Sequence, residues 1–314
     1  MKIKNKKILV TGGAGFLGSH LADALVKQGA RVFIVDNLST GLKENINPRA
    51  KFYNLDMNSP EIDNVFKKEK PEIIYHLAFN TNVPKSVEDP MFDAGSITGS
   101  LNIFNNAVKY GVKKIIMASS AFVYGNYPSR MLPVTEEHES QPVSPYVVSK
   151  LTAENYLRYF NKTYGISCVI LRYATTYGPR QVRGAMADYI RKIDSGLAVE
   201  MFGDGNITRD YIYVEDNIKA NIVALGLETK GNVPVINLGS AKETTLNELH
   251  SKIAKLLKKP DAKPAYYNSR PGEILRFCVS NKKAKKELGW QPEVSLDEGL
   301  KRTVAYFLRM KKRG

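Results

Sequence analysis

Tyr146 and Lys150 are the two residues whose types and spacing most clearly suggest chemistry in this sequence. A tyrosine has an ordinary pKa of about 10 and is a poor base near neutral pH. Lowering that pKa to about 7 needs roughly 4 kcal/mol of extra stabilisation of the phenolate, which a nearby ammonium and a cationic cofactor can supply. A spacing of four residues places both side chains on one face of a helix. The pair alone is a weak signal, because the same pattern occurs by chance in many helices.

Ser120 makes the pair more specific because of its position along the chain. It follows an apolar run from Lys114 to Ser119 that is typical of a buried strand, one βα unit before Tyr146. Ligands collect at the carboxyl ends of such strands in parallel sheets. We therefore predict a catalytic group of Ser120, Tyr146 and Lys150 that takes a proton from a substrate hydroxyl while a hydride moves.

A glycine-rich turn near the N-terminus predicts the cofactor. Residues 11–18 read TGGAGFLG, which fits the dinucleotide fingerprint through Gly13, Gly15 and Gly18 and its close variant through Gly12. Glycine lets the backbone turn tightly and approach a pyrophosphate, and the helix that follows directs its N–H groups at it. Asp36 ends the next apolar run, where a carboxylate accepts hydrogen bonds from ribose hydroxyls and repels a 2′-phosphate. The sequence thus predicts NAD rather than NADP.

Strand and helix patterns alternate along most of the chain and predict its architecture. Their order predicts an α/β fold with a doubly wound parallel sheet and a smaller C-terminal α/β substrate domain. We place the dinucleotide-binding domain at residues 1–172 and 207–238, and the substrate domain at residues 173–206 and 239–314. The predicted strands are residues 8–10, 31–36, 51–55, 73–76, 114–118, 167–171 and 235–238. The predicted helices are residues 16–27, 62–69, 92–110, 146–164, 246–258 and 296–310.

Composition narrows the class of protein. The chain has 314 residues, an ordinary apolar fraction and a net charge of +15. The basic residues are scattered rather than interleaved with aromatic residues, so we interpret the charge as a lysine-rich surface and expect neither nucleic acid nor membrane as a partner. The two cysteines, Cys168 and Cys278, suggest no disulfide framework and predict a cytoplasmic location. The four histidines lack metal-ligand spacing, so no metal site is expected.

Motifs along nearly the whole chain resemble those of the extended short-chain dehydrogenase/reductase family, which contains NAD-dependent sugar epimerases and dehydratases. The matching segments are residues 11–20, 36–41, 76–78, 119–125, 146–150, 171–173, 177–181, 203–205, 209–214, 270–273 and 288–292. The resemblance implies that Tyr146 deprotonates the 4-hydroxyl of a nucleotide sugar while C4 gives its hydride to NAD⁺. The keto sugar then turns over and hydride return inverts C4. Ser120 would hydrogen bond to the reacting oxygen, and Lys150 would hold the nicotinamide ribose.

The same resemblance implies which residues contact each ligand. Asp56 is compatible either with a bond to the adenine amino group or with a simple turn that starts a helix. Arg209 and Arg270 match positions that grip the substrate diphosphate, although surface ion pairing is the alternative for both. The implied substrate contacts are Ser120, Phe122, Tyr146, Thr175, Arg209 and Arg270. The implied cofactor contacts are Gly12, Gly15, Phe16, Leu17, Asp36, Asn37, Ser39, Thr40, Gly41, Asp56, Met57, Leu77, Ala78, Tyr146, Lys150 and Tyr173.

Residues at five positions bear on the reaction and the sugar. Ala121-Phe122 occupies the place where dehydratases and decarboxylases of this family carry a carboxylate, which favours epimerisation of UDP-glucose and UDP-galactose. Thr175 and Ser96 each replace an expected asparagine, and Phe277 lies where bulk disfavours N-acetyl groups. These changes leave other reactions open: epimerisation of a UDP-uronate or a UDP-N-acetylhexosamine, or epimerisation or reduction of a dTDP-sugar. A non-catalytic NAD-bound or RNA-binding derivative is the alternative from another class.

The resemblance also implies a homodimer. The predicted helices 92–110 and 146–164 would pair across a twofold axis, with Leu157, Tyr159 and Phe160 as candidate contacts. The same apolar residues are equally compatible with a place in the core of one chain.

Overall fold

Strands rich in Ile, Val and Leu alternate with helices over the first 240 residues of the chain. The computed structural model describes residues 3–229, 231–269 and 273–312. The strands are β1 Lys7–Thr11, β2 Arg31–Asp36, β3 Lys51–Asn54, β4 Ile73–His76, β5 Lys114–Ser120, β6 Ser167–Tyr173, β7 Thr175–Tyr177, β8 Val199–Phe202, β9 Thr208–Arg209, β10 Tyr211–Tyr213, β11 Val235–Leu238, β12 Thr244–Thr245 and β13 Pro264–Tyr267. The helices are α1 Phe16–Lys27, α2 Ile62–Glu69, α3 Val83–Glu88, α4 Ala94–Lys109, α5 Pro145–Tyr164, α6 Ala185–Asp194, α7 Val214–Ala224, α8 Leu246–Leu256, α9 Lys282–Leu288 and α10 Leu296–Lys311.

Seven strands form one parallel sheet in the order β11-β6-β5-β4-β1-β2-β3. Every neighbouring pair in it is parallel. The chain order reverses between β1 and β4, and this reversal opens a crevice at the carboxyl ends of the strands where such sheets bind ligands. The predicted doubly wound parallel sheet is confirmed.

The two faces of the sheet are covered by different helices, and alternation along β1 shows why. Ile8 and Val10 pack with Leu21 of α1 on one face. Leu9 points to the other face and packs in the cluster that contains Phe104 of α4 and Leu157 of α5. Because both faces are buried, the strands are apolar at successive positions rather than at every second one.

The helix predicted to begin at residue 92 begins instead at Ala94. Pro90–Asp93 forms a 3-10 turn, in which the Asp89 side chain accepts a hydrogen bond from the Met91 N–H. Proline has no N–H and a fixed backbone torsion, so it suits the first turn of a helical segment rather than its interior. This local turn delays the start of α4 by two residues relative to the prediction.

In the described part of the chain, three two-stranded pairings lie outside the main sheet: β7 with β10, β9 with β12 and β8 with β13. They join chain segments that are far apart in sequence, so the region after β6 folds back on itself. Among the described residues, no helix is both long and apolar enough to cross a membrane. The same residues contain no group of three or more potential metal ligands.

Candidate active site

A cavity of about 540 Å³ lies along the carboxyl ends of the central strands. One end of it borders the glycine-rich turn and Asp36, and the other borders Ser120, Tyr146 and Thr175. Most of the residues predicted to contact the cofactor line this cavity. They are Gly12, Gly15, Phe16, Leu17, Asp36, Asn37, Ser39, Thr40, Asp56, Met57, Leu77, Ala78, Tyr146, Lys150 and Tyr173.

The glycine-rich turn has no room for side chains at Gly12, Gly13 and Gly18; a Cβ on Gly13 would lie 2.7 Å from the Ile34 side chain. A Cβ on Gly18 would lie 2.1 Å from the carbonyl oxygen of Gly12, and a Cβ on Gly12 would lie 2.9 Å from the amide nitrogen of Ala78. Gly12 also has a φ of +70°, in the left-handed region that glycine tolerates best. Gly15 is different, because a Cβ there would meet one described neighbour, the Gly12 carbonyl oxygen, at 3.2 Å. The turn is thus packed on one side and open to the cavity at Gly15.

The carboxylate of Asp36 is held by backbone amides at the far end of the cavity. Ala14 N–H donates to Oδ2 at 3.0 Å and Leu38 N–H donates to Oδ1 at 2.8 Å. Gly41 does not line the cavity. A Cβ on Gly41 would lie 2.9 Å from Asp36 Oδ1, so the absence of a side chain at Gly41 leaves space for the Asp36 carboxylate.

Asp56 forms the turn that its sequence suggested and also faces the cavity. Its carboxylate accepts hydrogen bonds from the backbone and side chain of Asn58 and from the Asn37 side chain, at 2.7 to 2.8 Å. Burial opposes ionisation, but these hydrogen bonds lower the pKa of the Asp56 carboxyl below its usual value. A charged acceptor therefore lies beside Asp36 at this end of the cavity.

Thr11 and His76 fix the cavity floor at the switch point. The Thr11 hydroxyl accepts hydrogen bonds from the amides of Leu77 and Ala78 at 3.2 and 3.1 Å and bonds to His76 Nδ1 at 2.9 Å. Burial and the nearby Lys150 charge lower the pKa of His76 to about 3, so its ring is neutral. His76 is a structural residue here, as its sequence context indicated.

Tyr146 enters the cavity next to Ser120. Desolvation by the surrounding protein raises the pKa of the Tyr146 phenol to about 12, although a hydrogen bond with the Ser120 side chain acts in the opposite direction. The Ser120 hydroxyl also accepts a hydrogen bond from the Phe122 N–H at 3.2 Å. In the chain alone, burial therefore favours the protonated phenol, and added positive charge from a bound cofactor would favour the phenolate.

Lys150 lies one helical turn beyond Tyr146 and is buried. Its ammonium donates a 2.8 Å hydrogen bond to the carbonyl oxygen of Ala118 and lies 3.7 Å from the centre of the Phe79 ring. Burial lowers the pKa of Lys150 to about 7, and the carboxylates of Glu154 and Asp93 oppose this change. Near neutral pH the side chain can therefore hold or release a proton beside the cavity.

Only some of the residues predicted to contact the substrate line the cavity. Phe122 and Thr175 line the cavity beside Tyr146. The Thr175 hydroxyl is buried and has no hydrogen-bond partner among the described residues. Arg209 does not line the cavity: its guanidinium lies 5.8 Å from the Phe122 ring and donates to the carbonyl oxygens of Thr208 and Ile274. Arg270 lies outside the described residues.

Phe277 was expected to add bulk near the sugar, and it is buried against the cavity wall. Its ring lies 4.6 Å from the ring of Phe122, in a tilted arrangement. Phe122 faces the cavity, so Phe277 supports that wall from behind. This side of the cavity is therefore lined by one aromatic ring with a second ring packed behind it.

The segment from Gly178 to Gly184 forms a rim that contacts helix α1. The carbonyl oxygen of Pro179 lies 2.9 Å from His20 Nε2, and Arg180 forms a 2.8 Å ion pair with Asp23. Further along this rim, Arg183 is exposed and borders the same cavity as Thr175. The rim therefore contacts α1, the helix that follows the glycine turn, and also lines the cavity.

Among the cavity residues that the sequence did not predict, Phe79 and Arg183 bear most directly on the chemistry. Phe79 contacts Lys150 through its ring, and Arg183 adds a cation to the cavity. The first follows the His76-Leu77-Ala78 segment and the second follows the segment 177–181, so both extend motifs that had been noted. Neither residue type carries a spacing signal of its own.

The cavity fits a dinucleotide. The turn at Gly12 and Gly18 excludes side chains where a pyrophosphate would approach, and no described side chain caps the N-terminus of α1. Asp36, which was predicted to bond to the ribose, and Tyr146 with Lys150, which were predicted to act on the substrate, all line the cavity. Fold and site together define an NAD-binding α/β enzyme.

Comparison with known proteins agrees with that class. The profile of the NAD dependent epimerase/dehydratase family matches residues 8–239, and the chain belongs to this family. It is 36% identical to the UDP-glucose 4-epimerase of Mycolicibacterium smegmatis over 96% of this chain and 98% of that one. It is 33% identical to the UDP-glucuronate 4-epimerase of Thermodesulfobacterium geofontis over 94% of each. The crystal structure of UDP-glucose 4-epimerase with UDP-glucose from Thermotoga maritima is 40% identical, with a TM-score of 0.92 over 97% of this chain and 99% of that one.

Proposed function

We propose that this chain is a cytoplasmic nucleotide-sugar 4-epimerase acting on UDP-glucose and UDP-galactose, with a place in galactose metabolism. The observation that carries the proposal is the placement of Ser120, Tyr146 and Lys150 along one cavity with Asp36 at its other end. The similarity to UDP-glucose 4-epimerases supports the substrate class. The free, buried thiols of Cys168 and Cys278 support a reducing compartment.

Each residue of the candidate catalytic group has a separate role in the proposed reaction. NAD bound along the cavity would supply the hydride acceptor and donor. Tyr146 takes the proton of the sugar 4-hydroxyl and returns it, and Ser120 hydrogen bonds to the same oxygen. Lys150 contributes positive charge on the cofactor side of Tyr146, which favours the phenolate. Phe122 is an apolar part of the cavity wall, and Ala121-Phe122 supplies no carboxylate for elimination. Inversion at C4 is therefore the reaction that these groups support.

The proposal is tested by incubating the purified protein with UDP-galactose, without added reductant, and following UDP-glucose by NMR. Conversion by the wild type that is lost in Tyr146→Phe would support 4-epimerisation with Tyr146 as the base. Tyr156→Phe, an exposed position on the same helix, is the matched control and should keep full activity. An inactive wild type that still contains NAD would contradict the UDP-hexose assignment.

A second candidate substrate is a UDP-uronate, and Arg183 is the observation that favours it. A uronate differs from a hexose by a carboxylate at C6, which a guanidinium binds well. Arg183 borders the same cavity as Thr175, whose buried hydroxyl has no partner among the described residues. If the uronate is the substrate, Arg183→Gln should reduce turnover of UDP-glucuronate far more than turnover of UDP-glucose. Equal effects on both sugars would contradict this assignment.

We also propose the division into a dinucleotide-binding part, residues 1–172 and 207–238, and a substrate-binding part, residues 173–206 and 239–314. The pairing of β8 with β13 and the packing of α6 against α8 support a separate second part. The pairing of β7 with β10 crosses the proposed boundary, so the two parts share a continuous backbone interface. Limited proteolysis with and without NAD would test whether the two parts are cleaved apart.

A homodimer through helix α5 is a further part of the proposal. Leu157 and Phe160 are buried in the core of the chain, whereas Val148, Tyr156 and Tyr159 are 48, 39 and 52% exposed. Apolar and aromatic groups of this size are enriched at protein interfaces. Sedimentation velocity should show a dimer that Tyr159→Lys dissociates, and a monomeric wild type would contradict it.

A further inference from the structure

Three successive residues of strand β5 contact three residues of helix α5 that are four positions apart. Lys150 Nζ donates to the Ala118 carbonyl oxygen at 2.8 Å. The Ser119 hydroxyl donates to Glu154 Oε1 at 2.6 Å, and Ser120 hydrogen bonds with Tyr146. Two of these contacts involve the candidate catalytic group, and the third, Ser119 with Glu154, has no role in the proposed reaction.

Glu154 is fully buried and accepts four hydrogen bonds. Besides Ser119, Arg172 donates to it through Nε at 2.9 Å and Nη2 at 2.7 Å, and Arg158 donates through Nη2 at 3.1 Å. Arg172 is the penultimate residue of β6, and its guanidinium lies 4.8 Å from the centre of the Tyr124 ring. A bidentate pair of this kind fixes both position and orientation. Glu154 therefore joins α5 to the ends of β5 and β6.

Buried ion pairs are costly to desolvate and are weak evidence of a stabilising role. The reason to assign Glu154 a further role is its effect on Lys150. Lys150 is buried beside the neutral ring of Phe79, and burial of this kind favours the uncharged amine. The charged groups that act on Lys150 are Glu154, one turn along its own helix, and Asp93, at the start of α4. Lys150 in turn acts on the ring of His76 in β4.

We propose that Glu154 is a positioning residue that keeps Lys150 cationic and fixes the end of β5 that carries Ser120. The inference rests on the proposed function, because Lys150 and Ser120 matter only if they serve the reaction. Glu154 acts through its charge on Lys150 and through its hydrogen bond to Ser119. Arg172 and Arg158 hold the carboxylate in the orientation that permits both.

The test is the titration of Lys150 in the full-length protein, followed by NMR of isotope-labelled lysine side chains at equal NAD content. Lys150→Met assigns the signal. Glu154→Gln keeps an acceptor for Ser119 but removes the charge, so the titration midpoint of Lys150 should fall, by about one pH unit. A merely structural role predicts the opposite, because a loosened interior admits water and raises the midpoint. An unchanged or raised midpoint would overturn the charge role.

Two further variants keep the proposal testable. Glu154→Gln with Arg172→Gln leaves no unpaired buried guanidinium if the single variant does not fold, and the Lys150 midpoint should again fall. Ser119→Ala keeps the charge, so the midpoint should stay at its wild-type value while kcat falls at least tenfold and KM changes little. Asp216→Asn, at a buried carboxylate that accepts from Glu293 and Val294 amides, is the control and should change neither value. Because the titration needs no substrate, its outcome does not depend on the proposed reaction.

Discussion

The ammonium of Lys150 lies 3.7 Å from the centre of the Phe79 ring while it donates a hydrogen bond to the Ala118 carbonyl oxygen. An aromatic face and one carbonyl solvate an ammonium less well than water does. Burial accordingly lowers the pKa of Lys150 from 10.5 to about 7. The position of Lys150 thus disfavours its charge, which has measurable consequences for stability.

Lys150→Met should stabilise the NAD-free chain at low pH and remove activity. Lys150 is charged in the folded and unfolded states below pH 7 and neutral in both above pH 10.5, so the cost of burying its charge is greatest below pH 7 and disappears by pH 10.5. At about 1.4 kcal/mol per pKa unit, the gain in unfolding free energy has an upper limit of roughly 5 kcal/mol. Urea denaturation of the variant and wild type at pH 6 and pH 10 measures it.

The control for that comparison is Lys162→Met, at an exposed position on the same helix. It should shift the unfolding free energy by less than about 0.5 kcal/mol at either pH. If Lys150→Met and wild type differ equally at pH 6 and pH 10, the buried charge is not the cause.

Tyr146 should become a base only in the presence of NAD. The pKa of about 12 in the chain alone arises from desolvation and leaves the phenol protonated at neutral pH. A nicotinamide cation beside it favours the phenolate. The difference in phenolate absorbance between wild type and Tyr146→Phe should therefore develop near pH 12 without NAD and at clearly lower pH with NAD. Superimposable titrations in the two states would refute the proposed activation.

Two alanine substitutions in the glycine turn should have different effects. Gly18→Ala forces a methyl group to within 2.1 Å of the Gly12 carbonyl oxygen, so it should lower the unfolding free energy by about 3 kcal/mol or more. Gly15→Ala meets the same oxygen at 3.2 Å and adopts an extended backbone that alanine tolerates. It should fold, with its methyl group in the cavity, and lose NAD. Thermal unfolding and the NAD content of each preparation separate the two effects, and equal destabilisation would contradict the packing account.

Asp36→Ser should shift cofactor preference towards NADP. The wild-type carboxylate lies where a 2′-phosphate would bring a second negative charge, and like-charge contacts cost several kcal/mol. We expect wild type to bind NAD at least about 100-fold more tightly than NADP, and the variant to lose most of that ratio. Glu44→Gln removes the same charge from an exposed neighbouring position and should leave the ratio unchanged. Fluorescence titration measures both affinities.

The sheet and the cofactor turn could be predicted from the sequence because their signals are local. Both patterns consist of consecutive residues: an apolar run such as residues 31–36, and a glycine turn between a strand and a helix. The predicted start of α4 is two residues too early because Phe92 and Asp93 belong to a separate 3-10 turn that begins at Pro90. Local patterns thus gave the fold but not each boundary.

The contacts that set the chemistry could not be predicted in this way. Phe79 and Ala118 meet Lys150 only after β4, β5 and α5 have packed, and no spacing rule connects them. Arg183 reaches the cavity because the rim folds back over α1. These contacts depend on tertiary packing between distant segments, which periodicity does not encode.

The rim from Gly178 to Gly184 is fastened to α1 through His20 with Pro179 and through Asp23 with Arg180. The rim therefore contacts helix α1 and forms part of the wall of the same cavity that Thr175 lines. A shift of the rim on sugar binding would also change its contacts with the helix that follows the glycine turn. We therefore expect bound NAD to change the affinity for the sugar, and the sugar to change the affinity for NAD, by the same factor.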